Sequence, residues 1–545
     1  MFYWVFSSME KETIYVRSLS ASKVSIEVTN EIMLREIYEF FKFKDPTHKP
    51  NRYSKWDGVV RLFDNKKQVL PRGLVRTLFE FCKSVNYDIK IDKGIFFQEK
   101  VELEELEEYV ESLKLTGHNE NGYFDLTPYD YQMHGFYEGI TNDSCVLLAD
   151  TNAGKTLILY LLSRFFCDVT SYKAKILIIV PSVMLVDQMY DDFGKFSYKD
   201  DKFSNQCIHT IKGGVKDKYR SAPITVSTWQ SIQNEDPEFF CKFTHVFCDE
   251  VHGASAEKIS YILNNCINAY KRIGVTGSMR DTELHTLQVL AHFGKIIRIA
   301  TTQMLKERGQ SADTLIRVLN FKYRRPVCLN MDKLDYEGKI RAISESKERN
   351  SFIAKFANKL EGNTLLLFVR KKHSKAVYDM LKEMGHSNVY RIDGDVPNDI
   401  RDQMKKAVEN GEKVVLCASF GTLGTGVSIR KLHNLVLCHP IKSIIAVLQA
   451  IGRMLRTHSS KKIANIYDIV DDFRLSPGSK ATFIEHGAKR YGYYKSKGHN
   501  VVTKVVDCRH WEFLPVSQFA LLLEESDKRK KFKQELAEKR FNGNE

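Results

Sequence analysis

Between residues 144 and 277 short apolar runs alternate with longer segments whose apolar residues recur every three to four positions. The runs are SCVLLA (144–149), AKILIIV (174–180), PITVST (223–228), THVFCDE (244–250) and RIGVTG (272–277). KTLILYLLSRFF (155–166) and VMLVDQMYDDF (183–193) carry helical spacing between them. Near-continuous apolar strands separated by helices predict a parallel sheet covered on both faces. The pattern restarts with NTLLLFV (363–369), NVYRID (388–393), KVVLCAS (413–419), NLVLCH (434–439) and IANIYDIV (463–470). Two α/β sheets in tandem are expected, without a sequence repeat between them.

The first hundred residues differ in texture. TIYVRSL (13–19) and KVSIEVT (23–29) alternate as half-buried strands, and EIMLREIYEFFKF (31–43) has helical spacing. An acidic helix, EKVELEELEEYVESLKL (99–115), and a polar joint, TGHNENGY (116–123), mark a boundary. The expected organisation is a small N-terminal α/β domain (1–115), two sheet lobes (116–300 and 301–490) and a C-terminal extension with a charged tail (491–545). A chain of 545 residues is too long for one core, which agrees with several domains.

Charge sharpens this picture. Lys and Arg number 82 against 68 Asp and Glu, a net +14 that favours a polyanionic partner. Residues 42–76 hold ten Lys or Arg against three Asp, with Phe41, Phe43, Tyr53 and Trp56 interleaved. Asp57-Gly58 reads as a hairpin turn between RYSKW and VVRLFD. Arg52, Lys55 and Arg61 with Tyr53 and Trp56 then form a candidate nucleic-acid grip, the cations on phosphates and the rings on an exposed base. A second reading makes Trp56 and Phe63 the core of a small domain with the charges as its solvated face. The run KRKKFK (528–533) has the same two readings, added DNA affinity or a solvated tail. The eleven cysteines form no C-x-x-C pair and fall partly inside apolar strands, the usage of buried thiols in a reducing compartment. No apolar run reaches the length of a membrane span, so a cytoplasmic protein is expected.

The candidate chemistry begins at LLADTNAGKTLI (147–158), a strand, a tight loop and a helix start. Backbone N–H groups of Asn152, Ala153 and Gly154 would face phosphate oxygens at a helix N-terminus. Lys155 would reach the β- and γ-phosphates of ATP, and Thr156 would ligate Mg²⁺. The usual first glycine of such a loop is Ala149, a residue small enough for the strand exit. The second element is Asp249-Glu250, two adjacent carboxylates at the end of an apolar strand. Asp249 would hold Mg²⁺ through water, and Glu250 would orient and deprotonate the attacking water. The third is QAIGRMLR (449–456), which places Gln449, Arg453 and Arg456 on one helical face. Arginine supplies the positive charge that a loose phosphoryl-transfer transition state requires.

In this order the motifs resemble those of superfamily 2 helicases over residues 125–470. The resemblance implies two RecA-like lobes that close on one nucleotide. LTPYDYQ (126–132) is similar to the adenine-recognising segment, with Gln132 on the base and Tyr129 where an arginine is usual. Pro181, Thr228 and Gln230 match backbone-contacting positions of the first lobe. His252, Thr276 and Ser278 match positions that couple hydrolysis to motion, as does Gly426 in GTLGTGVSI (421–429), where Thr425 would meet phosphate. Ser428 departs from the Asp or Asn of many relatives. Asp-Glu-Val-His and a final motif opening at Gln449 lean towards DNA rather than RNA. The segment NRYSKWDGVVRLFDNKKQVLPRGL (51–74), with TNAGKT, STWQ, GSMRD and GTGVSI, resembles the UvsW-type bacteriophage helicases. That resemblance implies an ATP-dependent DNA helicase or translocase acting on branched or forked DNA. Its reactions would be Holliday-junction branch migration, fork reversal, and D-loop and R-loop unwinding. It would work in the host-cell cytoplasm beside phage recombination or replication proteins. The alternatives are an RNA-directed helicase of the same superfamily and a nonhydrolysing DNA-binding protein on a motor scaffold. A restriction-system motor would require a nuclease, and no nuclease motif is present.

Overall fold

The computed structural model describes residues 13–45, 48, 56–95, 100–119, 122–214, 217–253, 257–279, 282–394, 396–420, 429–455, 458, 460–461, 463–476, 478–479 and 481–542. It divides into two compact units, 1–300 and 301–545.

The first unit opens with a four-stranded sheet in the order Val69–Pro71, Lys23–Val28, Thr13–Ser18, Asp88–Ile91. Alternation buries Ile14, Val16, Val24 and Ile26 on one face, where the helix Glu31–Phe40 adds Met33 and Ile37. Asn30 caps that helix by accepting from the Ile32 N–H at 2.8 Å. The acidic segment forms the helix Leu103–Ser112.

The same core includes Leu287 and Ala291 of the helix Glu283–Phe293, so the small sheet is packed onto the larger one that follows. Gly73 sits at this seam, and a Cβ there would lie 2.0 Å from the Leu290 carbonyl oxygen. Backbone cannot yield as a side-chain tip can. Gly73→Ala is therefore expected to loosen the N-terminal domain from the first sheet while leaving both folded. Limited proteolysis should release a fragment near residues 96–121 from the variant faster than from the parent.

Val59–Arg61 pairs antiparallel with Lys42–Lys44; residues 51–55, the other arm of the expected hairpin, lie outside the described residues. The turn itself is present: Gly58 has φ +74° and Asp57 Oδ1 accepts from the Val59 N–H at 3.0 Å. Phe43 of that partner strand packs on the domain core.

The larger sheet has seven parallel strands in the order Ile208–Ile211, Ile224–Thr228, Ile176–Val180, His245–Asp249, Lys271–Thr276, Ser144–Ala149, Lys295–Ala300. The second unit repeats the architecture as Val389–Ile392, Val415–Ser419, Thr364–Phe368, Asn434–Leu437, Ile463–Asp472, Asp313–Lys322, Asn500–Asp507. Every apolar run read as a strand forms one. Four strands lacked that signal: Ile208–Ile211, Lys295–Ala300, Asp313–Lys322 and Asn500–Asp507. Three of these four are edge strands: Lys295–Ala300 and Asn500–Asp507 carry charged residues on a part-exposed face, and Ile208–Ile211 is a short run interrupted by His209 and Thr210; the interior Asp313–Lys322 carries Arg317 and Asn320. The sheet chain thus runs past residue 490. Beyond it the helix Val516–Asn542 docks through Ser526, which accepts from the Asp335 N–H at 2.9 Å, and Arg529, bidentate to Asp335. Part of KRKKFK therefore anchors this helix, while Lys528, Lys530 and Lys531 are exposed.

Among the described residues no helix is long and apolar enough to cross a membrane. Nine of the eleven cysteines are buried.

Candidate active site

Three adjacent strands of the first large sheet, His245–Asp249, Lys271–Thr276 and Ser144–Ala149, run parallel. Their carboxyl ends therefore lie side by side, the place where open α/β sheets bind ligands. Asp249 pairs with Val275, and Thr276 with Leu148, so carboxylates, hydroxyl and loop emerge at one level.

The loop after Ala149 turns through two left-handed residues, Asn152 (φ +74°) and Gly154 (φ +72°), and the helix Lys155–Val169 starts at once. Ala149 is fully buried, which a small side chain permits. Its carbonyl oxygen accepts from Lys155 Nζ at 3.2 Å. Thr156 occupies the first helical turn, half-buried. Gln132 is 5% exposed, and both ends of its amide are engaged. Its Oε1 accepts from the Tyr129 N–H at 2.9 Å, and its Nε2 donates to the Ala153 carbonyl at 2.9 Å. Gln132 thus ties the helix Asp130–Thr141 to the phosphate-type loop. The loop carbonyl takes one of the two Nε2 hydrogens.

Glu250 has φ +52°, a backbone conformation unusual for a side chain of its size. Its N–H donates to Asp249 Oδ1 at 2.9 Å. Its Oε2 lies 3.1 Å from His252 Nδ1 and 3.1 Å from Thr276 Oγ1. Thr276 Oγ1 is also 3.2 Å from His252 Nδ1 and 2.9 Å from the Ser278 carbonyl. One hydroxyl proton serves Glu250 or Ser278 at a time. Glu250, His252, Thr276 and Ser278 therefore form one hydrogen-bonded unit.

The two carboxyls are driven apart. Burial, then the neighbouring Glu250 charge, pushes the Asp249 carboxyl well up. Burial also pushes Glu250 up, but hydrogen bonds from His252 and Thr276 and the Lys155 ammonium outweigh it and hold Glu250 low. An ionised carboxylate beside one that resists ionisation is the arrangement of a base next to a cation site.

One participant carried no sequence signal. His285, buried on the helix Glu283–Phe293, has Nε2 2.7 Å from the His252 carbonyl oxygen. A lone histidine on an apolar helix face is commonly core, and only the packing of this helix brings it to the Asp-Glu-Val-His segment.

Pro181 and Gln230 are exposed just beyond neighbouring strand ends. Thr228 is 2% exposed, and its Oγ1 lies 2.8 Å from Ser231 Oγ. Its side chain caps the helix Trp229–Ile232 that presents Gln230. Trp56 is 45% exposed, its Nε1 donating to the Val59 carbonyl, so the core reading fails for Trp56 and holds for buried Phe63. Arg61 pairs with Asp57 and donates to Tyr38 Oη at 2.8 Å. In the second unit Gln449 and Arg453 are half-buried on the helix Ile444–Met454. Arg52, Tyr53, Lys55, Thr425, Gly426, Ser428 and Arg456 lie outside the described residues.

A phosphate-type loop, an Asp-Glu-Val-His strand end and a hydroxyl relay on one parallel sheet, with a second such sheet after it, define a superfamily 2 helicase with RecA-like lobes. Residues 124–281 match the family "Type III restriction enzyme, res subunit", and 348–458 match "Helicase conserved C-terminal domain". Residues 13–92 match "DNA helicase UvsW, N-terminal". The chain is 34% identical over 495 residues to the ATP-dependent DNA helicase uvsW of Enterobacteria phage T4, covering 88% of this chain and 96% of that one. The crystal structure of T4 UvsW aligns with 91% of this chain and 99% of its own at 32% identity, TM-score 0.48. A DNA-bound Type ISP restriction-modification enzyme, LlaBIII, shares the fold at 15% identity and TM-score 0.53, over 74% of this chain and 33% of that one. The chain belongs to the UvsW family of ATP-dependent DNA helicases.

Proposed function

We propose that this helicase remodels branched or forked DNA, by branch migration, fork reversal and the unwinding of D-loops and R-loops. The observation that carries the motor reading is the bonded unit Glu250–His252–Thr276–Ser278 beside the phosphate-type loop. It joins the group that would activate water to the segment leaving the sheet at Ser278. Lys155 leaves the Ala149 carbonyl for the phosphates of ATP. Glu250, ionised at neutral pH, takes the proton of the attacking water. Arg453 and Arg456 stabilise charge on the γ-phosphoryl group.

Mg²⁺ fits the residues present. Thr156 and Asp249 offer hard oxygen donors, and the Asp249 carboxyl, pushed up beside Glu250, is relieved by a cation. When bound, Mg²⁺ neutralises the β- and γ-phosphate oxygens. Thr425 and Gly426 would meet the DNA strand and the coupling path, with Pro181 and Gln230 on the first lobe. Partners would be phage recombination or replication proteins in the host cytoplasm.

The deciding measurement is ATPase rate at one salt concentration with no nucleic acid, single-stranded DNA, duplex DNA, a four-way junction and single-stranded RNA. Strongest stimulation by the junction is expected; strongest stimulation by RNA would overturn the DNA substrate, and no turnover with any of them would overturn the motor. Lys55→Ala with Arg61→Ala should weaken junction binding by about tenfold at moderate salt and leave the unstimulated rate intact. Because Asp57 and Tyr38 already hold Arg61, unchanged junction affinity would return this patch to a structural role.

A further inference from the structure

Two buried Arg–Asp–Tyr clusters flank the strand Ile463–Asp472. Asp468 and Asp471 stand three residues apart on it, so their side chains enter opposite faces of the sheet. On one face Arg490 is bidentate to Asp468 at 2.8 Å on both oxygens, and Tyr494 donates to Asp468 Oδ2 at 2.9 Å. On the other face Arg349 is bidentate to Asp471 at 2.9 and 3.0 Å, and Tyr323 donates to Asp471 Oδ1 at 2.6 Å. Arg349 is 0% and Arg490 3% exposed.

Each guanidinium has one further N–H engaged, and both use it on the same short segment. Arg349 donates to the Cys438 carbonyl at 2.9 Å, and Arg490 to the Ile441 carbonyl at 2.6 Å. Residues 438–441 follow the strand Asn434–Leu437 and lead to Ser443, which caps the helix Ile444–Met454. That helix carries Gln449 and Arg453. Its far end is held too, by Lys461 Nζ donating to the Met454 carbonyl at 2.9 Å.

Burying two ion pairs is an expensive way to hold helices on a sheet, since apolar side chains of similar volume commonly do as well. What an apolar core cannot supply is a directed bond to a carbonyl outside the ladder. We infer that Arg349 and Arg490 are positioning residues that clamp residues 438–441 from both faces and so set the placement of the helix bearing Gln449 and Arg453. This rests on the reading of Arg453 as the γ-phosphate arginine.

Arg490→Lys keeps the charge but loses the fork, and Tyr494→Phe loosens Asp468 more gently should the first variant fold poorly. Hydrogen exchange should speed up by about tenfold in residues 444–455 and stay unchanged in the strand Ile463–Asp472. DNA-stimulated kcat should fall by about tenfold with KM for ATP held within about twofold, Tyr494→Phe following in the same direction. In an Arg453→Ala background neither substitution should lower kcat further. Unchanged exchange in 444–455, or losses that multiply with Arg453→Ala, would overturn the clamp. Normal turnover by Arg453→Ala alone would instead overturn the arginine assignment, with the exchange result still deciding whether the clamp holds the helix.

Discussion

Glu250→Gln is expected to bind ATP as the parent does and to hydrolyse it slower by about 10²- to 10⁴-fold, the range for loss of a general base. The substitution preserves shape, and Gln can still accept from Thr276 and His252. It removes the ability to take a proton together with the carboxylate's charge. Glu250 is suited to that task because Lys155, His252 and Thr276 hold it ionised against the pull of burial. Single-turnover hydrolysis beside equilibrium binding of a fluorescent ATP analogue separates the two effects. Unimpaired hydrolysis would remove Glu250 from the role and leave Asp249 with its cation to orient the water. Loss of binding alongside turnover would mean that Glu250 supports the loop rather than the reaction.

Gly154→Ala should weaken nucleotide binding by about tenfold or more, from two separate causes. The residue is left-handed at φ +72°, which costs an alanine about 1–2 kcal/mol. Its new Cβ would also lie 2.3 Å from Gln132 Nε2, the atom that ties the loop to the preceding helix. The second cause can be isolated, because Gln132→Ala empties that space. Gly154→Ala in a Gln132→Ala background should therefore cost less affinity than in the parent. Equal costs in both backgrounds would assign the whole effect to backbone strain and show that Gln132 yields freely. Titration of the four proteins with labelled ADP gives the comparison.

Much of this site is legible in the chain. Largely apolar runs of six to eight residues marked the strands, and chemistry-bearing residues at their carboxyl ends, Lys155 after Ala149 and Asp249-Glu250 after Cys248, marked the ligand edge. Ten strands of the two large sheets show this signal: nine are interior and need apolar side chains on both faces, while Val389–Ile392 shows it at an edge, with Tyr390 and Arg391 half-buried. The edge strands Lys295–Ala300 and Asn500–Asp507 do not show it, because a part-exposed face admits charge, and Ile208–Ile211 does not because its four residues are interrupted by His209 and Thr210. Asp313–Lys322 is interior, but its Arg317 and Asn320 break the run.

What the sequence by itself determined is which residues exist to do the chemistry and which strand ends deliver them, since periodicity and motif order are local properties. The tertiary structure alone decided which of them meet. Gln132 turns its amide to the Ala153 carbonyl, Thr228 is spent on a helix cap, Trp56 stands half in solvent, and His285 reaches the His252 backbone from another helix. Arg349 and Arg490, more than a hundred residues apart in sequence, converge on one four-residue segment. Hydrogen-bond partners of buried polar groups are chosen by what packing leaves within about 3 Å, and that choice is made only when the sheets close over their helices.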